Sequence, residues 1–380
     1  MAFSKYRWLS GWGAGYHRWT LLLGGEFETL KKICGYTCRL MKKTMSFCAM
    51  AGAFVMSAAL NRIDAQSHYK GASRSVLLVA NQGSRDLSLI DPLAGKQVAT
   101  VPVEGVTGHE VAASPDGKTA YVPIYGDSGV GRPGTDGSKI SVIDLTSRKV
   151  IHTIDFGHGV RPHCAIYDRN TGMLYVTTEL DKSVSIVDPK SLKIVGSIPT
   201  GQEQSHMLAL TRDGSRGYTA NVGPGTVSVL DVKARKTLAI IPVSKVTQRI
   251  SISRDDSMVF TADQTKPQLA VIDTATNKVK TWVPLPAVGY GTAPTLDGRW
   301  LLVALRTTKQ VVVVDLKTMQ VMRTIDVPDG PAEILLTPDG KTAFVACNFK
   351  NQIAEIDLGQ WKVSKLIDAG TTTDGLAWAQ

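Results

Sequence analysis

Three histidines, His109, His163 and His206, fall at one register of this 380-residue chain. His109 and His206 stand seven residues before the turn aspartates Asp116 and Asp213, and His163 matches once one extra residue in its YDRNTG turn is allowed for. Six histidines follow residue 65 and half of them share this register, which points to a common task. Imidazole suits zinc and similar divalent metals, and three imidazoles with an open position would bring the pKa of a bound water to roughly 7. Such a water is a nucleophile at neutral pH, so the chemistry in view is metal-assisted hydrolysis or elimination. The same register continues with Gln248, Tyr290, Ala332 and Asp374. Asp374 is then a fourth ligand or the carboxylate that orients one imidazole. Two other readings use the same residues: a polar mouth that binds a small molecule without metal, and histidines that only bond neighbouring carbonyls. The following residues, Glu110, Cys164 and Met207, are expected on the opposite side by strand alternation, with Cys164 a small buried hydrophobe.

The elements that must position these residues are short strands. An aspartate closes an apolar or alternating run seven times: LSLID at Asp91, ISVID at Asp144, VSIVD at Asp188, VSVLD at Asp231, LAVID at Asp273, VVVVD at Asp315 and IAEID at Asp357. A second run precedes each anchor (LLVANQG, LYVTTEL, AFVACNF), and turns such as SPDG at Ser114 to Gly117 and TPDG at Thr337 to Gly340 precede most of those. Asp-Gly supplies the positive φ that a tight hairpin needs. With a first run before the turn and a fourth after the anchor, each unit has four strands, and seven units predict an all-β, seven-bladed β-propeller of antiparallel blades. The first unit lacks its opening strand, and DGLAWA, Asp374 to Ala379, supplies it from the C-terminus. That exchange closes the ring and removes its edges. In such a ring the first strand of each blade lines the channel, and the loops leading into it share one face with the loops between second and third strands.

The runs SPDGKTAYVPI, TGMLYVTTEL, TVSVLD and TPDGKTAFVAC resemble the Tyr-Val-Thr-Asn family of bacterial and archaeal propellers from about Val76 to Gln380. The resemblance implies the seven-bladed fold. Similar repeats occur in surface-layer proteins, lactonase-like propellers and relatives of haem-binding cytochrome propellers, so for function it implies several classes at once. No Cys-x-x-Cys-His haem-attachment motif is present, but one histidine suffices to ligate a non-covalent haem.

Blade two carries a long insertion, YGDSGVGRPGTDGSK, from Tyr125 to Lys139, which explains the 53-residue spacing of its anchors. It emerges on the histidine face and is expected to act as a flap with Arg132 and Asp136 as contact residues. Arg161, Glu179, Arg249 and Arg306 come from several blades to the same face. With Gln248 and Tyr290 they could hold a carboxylate, a sugar or an acidic protein.

The formal charge of +10 is unevenly spread. Residues 1 to 65 hold nine Lys/Arg against three acids, leaving 34 basic and 30 acidic residues, a net +4, for the remainder. That argues against nucleic acid as a partner. From Met41, MKKTMSFCAMAGAFVMSAALNRIDAQS has the layout of a secretory signal, with cleavage after Ala59 or Ala65. The expected organisation is therefore an upstream segment (1–40), a signal peptide (41–65), a linker (66–75) and a propeller (76–380). The expected mature protein is periplasmic or secreted, monomeric and without a membrane anchor. Cys164 and Cys347 lie in distant blades and are expected to stay unpaired. The leading expectation is a module that binds a small molecule or a protein at its mouth; the alternative is a metal-assisted, lactonase-like hydrolase or lyase on His109, His163, His206 and Asp374.

Overall fold

A computed structural model of the chain describes residues 75–127 and 129–380. The expected upstream segment, signal peptide and nearly all of the linker lie outside the described residues. Seven four-stranded antiparallel sheets follow one another as the blades of a propeller. Blade one joins Thr373–Ala379 to Val76–Asn81, Asp86–Asp91 and Lys96–Pro102, so the C-terminal strand does complete the first sheet. Its pairing runs from Val76 opposite Ala379 to Asn81 opposite Thr373.

The recurrent aspartates have a structural cause. Each anchor carboxylate accepts a backbone N–H from the turn that follows it, from Ala94, Ser147, Lys190, Ala234, Thr276, Lys317 and Gly359 in blade order. One or two residues further on, each turn has a residue with φ between 52° and 62°: Gly95, Arg148, Leu192, Arg235, Asn277, Met319 and Trp361. A side chain in that left-handed region costs about 1–2 kcal/mol, and the aspartate's bonds offset it. The Asp-Gly turns behave as expected: Gly117, Gly214, Gly298 and Gly340 have φ of 66–70°, and Asp256 takes the position in blade five at 61°.

Second and third strands are buried on both faces, which is why they read as continuous apolar runs. Their side chains form apolar layers between neighbouring blades. Leu77, Val79 and Ile90 of blade one meet Phe344, Ile353 and Ile367 of blade seven across the closure. Each fully buried Leu, Ile or Phe contributes about 1.5–3 kcal/mol, so the ring is held by its interfaces. Outer strands are mostly exposed.

The inner strands are irregular where the site lies. Pairing between first and second strands shifts register between Pro162 and Ala165, Ser205 and Met207, Thr247 and Ile250, Pro331 and Ile334, and in blade one next to Thr373. His163, His206, Gln248, Ala332 and Asp374 all sit within these bulges. The first strands of blades two and six begin only at Ala112 and Thr292, after His109 and Tyr290. Alternation therefore fails at the ring, because a bulge lets consecutive side chains leave on the same side.

Candidate functional site

The three register histidines come together. The rings of His163 and His206 stack with centroids 3.5 Å apart, and His109 lies edge-on to His163 at 5.1 Å. Tyr125, at the end of the second strand of blade two (Thr119–Gly126), packs against all three rings, with centroids 4.7–5.9 Å away. His163 and His206 are buried, and His109 keeps 17% of its side chain exposed.

Each imidazole is held differently. His206 Nδ1 meets Glu179 Oε1, while Glu179 Oε2 accepts a 2.8 Å hydrogen bond from the Tyr125 hydroxyl. A carboxylate oxygen accepts and the His206 Nδ1 faces it, while His206 Nε2 faces Gln248 Nε2 at 3.5 Å. His109 Nε2 lies 3.2 Å from Thr107 Oγ1, and its Nδ1 is 3.9 Å from Asp374 Oδ2. His163 Nδ1 is buried and has no hydrogen-bond partner among the described residues. Burial drives the His109 pKa down to about 4 and that of His163 well below the usual range, so both rings are neutral at physiological pH.

The expected three-imidazole metal centre asks for ring edges converging on one point with nitrogens about 2.0–2.1 Å from the ion. Two of the rings are stacked, and the His206 nitrogen that faces a carboxylate is engaged. Among the described residues, no group of three or more His, Cys, Asp or Glu stands in an arrangement that would hold an ion.

A second layer adjoins the histidines. Arg249 of blade five is buried and binds three carboxylates from other blades: Glu110 of blade two (2.5 Å), Glu333 of blade seven, and Asp374 of blade one (2.6 Å). Asp374 also accepts from Gln82 Nε2. One guanidinium cannot neutralise three carboxylates, of which Glu110 and Asp374 are buried and Glu333 is half-buried. Burial raises Glu333 to about 7 and Glu110 well above the carboxylate range, so the cluster holds protons near neutral pH. For Arg249 burial works against the charge, but the surrounding carboxylates prevail and its pKa is raised. Its Nε has no partner among the described residues.

Glu110 thus faces inward, contrary to the expectation from alternation, because the inner-strand geometry departs from a regular ladder. Glu333 and Gln82 were not singled out by sequence. The signal for Glu333 was available: the register one residue beyond the histidines reads Glu110, Cys164, Met207, Arg249, Gly291, Glu333, Gly375, with opposite charges in separate blades. Cys164 and Cys347 are buried, and among the described residues neither is paired.

The remaining candidates divide. Arg161 is buried, pairs with Asp136 at 2.6 Å and donates to the backbone carbonyl of Arg132 at 2.8 Å. Asp136 opens the third strand of blade two (Asp136–Asp144), so these residues tie the expected flap to blade three. Tyr290 lies between two arginines, with Arg249 5.2 Å and Arg306 4.5 Å from its ring centroid. Arg306 also covers Phe349 at 5.1 Å, beside a depression of about 460 Å³ lined in part by Gln264 and Lys309.

A closed seven-bladed ring with buried histidines at one mouth and an arginine-carboxylate cluster beside them is a ligand-binding propeller. The family model described as the cytochrome D1 heme domain matches residues 169–379, more than half of the chain, and the protein belongs to that family. No curated protein matches the sequence significantly. Among solved structures, Kuenenia stuttgartiensis hydrazine synthase is similar at 20% identity over 74% of this chain and 92% of that one, with a TM-score of 0.63. A functionally unknown protein from Desulfotomaculum acetoxidans matches at 13% identity, covering 80% and 99% of the two chains, with a TM-score of 0.67. The periplasmic gluconolactonase PpgL of Pseudomonas aeruginosa matches at 18% identity over 80% and 99%, with a TM-score of 0.65. At these identities the likeness is one of fold.

Proposed function

We propose that this protein is an exported binding propeller that receives a haem-type tetrapyrrole at its histidine-lined mouth. The observation that carries the reading is His163 Nδ1, a buried imidazole nitrogen without a partner among the described residues. A buried polar atom of this kind is costly unless something pairs with it, and a haem iron needs only one such ligand from the protein. The donor set therefore fits the group that the family implies. His163 would hold the iron, and a bound haem supplies redox and axial-ligand chemistry.

The chain's own residues bind and orient. Glu179 and Tyr125 fix the His206 ring against His163. Tyr290, Arg306 and Phe349 offer aromatic faces and a guanidinium to a flat, anionic ligand. Export draws support from the signal-like run at Met41 and from the periplasmic label of one structural neighbour. Among the described residues no helix is long and apolar enough to cross a membrane.

The test is a titration of the purified protein with haemin, followed by the Soret band. Saturation at one equivalent is expected, with at least a tenfold weaker affinity in a folded His163→Ala variant, a loss of about 1.4 kcal/mol or more. An unchanged titration in that variant would refute the reading. Fractionation of expressing cells checks export.

A second reading, a divalent-metal hydrolase or lyase on His109, His163, His206 and Asp374, rests on the 3.9 Å approach of Asp374 to His109. Metal analysis of protein purified without a metal-binding tag separates the two. Stoichiometric zinc, lost in a folded His163→Ala/His206→Ala double variant, would favour it over haem.

A further inference from the structure

The face opposite the histidine mouth carries the turns between first and second and between third and fourth strands. On it, blades six and seven enclose a groove of about 840 Å³ lined by residues that include Asp297, Arg299, Trp300, Asp339, Lys341 and Trp361. Trp300 and Trp361 meet edge to face with centroids 5.7 Å apart, and the Arg299 guanidinium lies 4.4 Å from the Trp300 ring centroid. Both tryptophans break the repeat. The position of Trp300 is Val76, Thr119, Met173, Arg216, Met258 and Thr342 in the other blades, and that of Trp361 is Gly95, Arg148, Leu192, Arg235, Asn277 and Met319. Trp361 also has φ 55°, an uncommon conformation for a bulky aromatic.

A second depression of about 540 Å³ adjoins the first, sharing Asp339 and Thr342 with it. Its aromatic corner is the half-buried Trp378, backed edge to face by the buried Phe344 with centroids 5.5 Å apart. The continuous groove has two aromatic corners separated by polar side chains. Asp297 and Asp339 each use Oδ1 in their own turn, from Thr295 and Thr337, and neither Oδ2 accepts a bond from a described residue. Lys341 is exposed and makes no ion pair with a described residue.

We propose that this groove binds a saccharide chain, with pyranose rings against the aromatic corners and hydroxyls on Asp297, Asp339 and Lys341. A sugar ring presents an apolar C–H face and an edge of hydroxyl groups, which are the two chemistries that alternate along the groove. Asp297, Asp339 and Asp357 against Arg299 and Lys341 leave no cationic excess to retain phosphate. The density of polar groups is wrong for an acyl chain. The volume of the larger part lies within the range of small-molecule sites, about 300–1,000 Å³. This site is independent of the haem reading, being formed by other residues on the other face.

The test titrates the purified protein with cellotetraose, chitotetraose and maltotetraose, followed by tryptophan fluorescence and calorimetry. Saturable binding of at least one, with Kd of about 1 mM or tighter, is expected. Trp300→Ala should weaken it at least tenfold and Lys341→Ala, an exposed change that leaves packing intact, about threefold. His163→Ala should leave it unchanged. Absence of binding by all three sugars, or equal affinity in the Trp300→Ala and Lys341→Ala variants, overturns the proposal.

Discussion

Glu179 and His206 belong to adjacent blades and stand 27 residues apart in sequence, yet the carboxylate meets the imidazole Nδ1 with their side chains only 1% and 3% exposed. Glu179 also receives the Tyr125 hydroxyl, so it couples blades two, three and four. Removing one partner of such a buried pair leaves the other unsatisfied, at about 3–5 kcal/mol. Glu179→Ala is therefore expected to lower the unfolding free energy by about 3 kcal/mol in urea, and Glu179→Gln by less, since the amide oxygen still accepts. A loss below about 1 kcal/mol for the alanine variant would mean that the contact does not form in solution.

Arg161 makes a prediction about dynamics. Its guanidinium holds Asp136 and the Arg132 carbonyl, and with them the segment from Gly129 to Thr135. Arg161→Ala should leave the blades folded while making that segment the first site of limited proteolysis, at least several-fold faster than in the native protein. Mass spectrometry of the first fragments checks the position of the cut. Exposed loop tips are cleaved when nothing ties them down, so unchanged cleavage would show that the loop is held by other contacts.

The carboxylate cluster predicts a pH dependence. The Glu333 carboxyl, ordinarily near 4.5, is pushed up to about 7 in the fold by loss of solvation in the half-buried cluster. Between those values the folded protein keeps a proton that the unfolded chain has released. The contribution of this group to stability is thus complete below pH 4.5 and is lost as the pH rises through 7, by at most about 3 kcal/mol. Glu333→Gln lacks the titration, so its melting temperature relative to the native protein should climb between pH 5 and 8. A difference constant across that range would show that Glu333 is ionised throughout.

Closure of the ring is tested at Gly375. A Cβ there would lie 2.5 Å from Glu110 Cα and 2.7 Å from the His109 carbonyl oxygen, so the backbones of blades one and two would have to separate. Overpacking of this kind typically costs about 1–3 kcal/mol, and Gly375→Ala should reduce thermal stability accordingly. Truncation before Thr373 removes the strand that pairs with Val76–Asn81 and should give an aggregation-prone protein, seen by size-exclusion chromatography.

By itself the sequence determined the fold. The aspartates from Asp91 to Asp357 recur because each clasps its own turn, and the apolar runs beside them alternate or persist according to burial. The Asp374 to Ala379 segment announced its place by what the first blade lacked. Apart from that closing strand, inferred by counting repeats, these are local signals, set by hydrogen bonds within a few residues or by periodicity along one strand. The register of His109, His163 and His206 was legible for the same reason, since each blade repeats one backbone path. What the histidines do was decided by tertiary structure. The stack of His163 on His206, the grip of Glu179 and the inward turn of Glu110 depend on bulges and on the convergence of strands far apart in sequence. Arg249 gathers Glu110, Glu333 and Asp374 only because the ring brings blades five, two, seven and one to a common channel. The burial that shifts their proton affinities belongs to that assembled ring, and no single repeat encodes it.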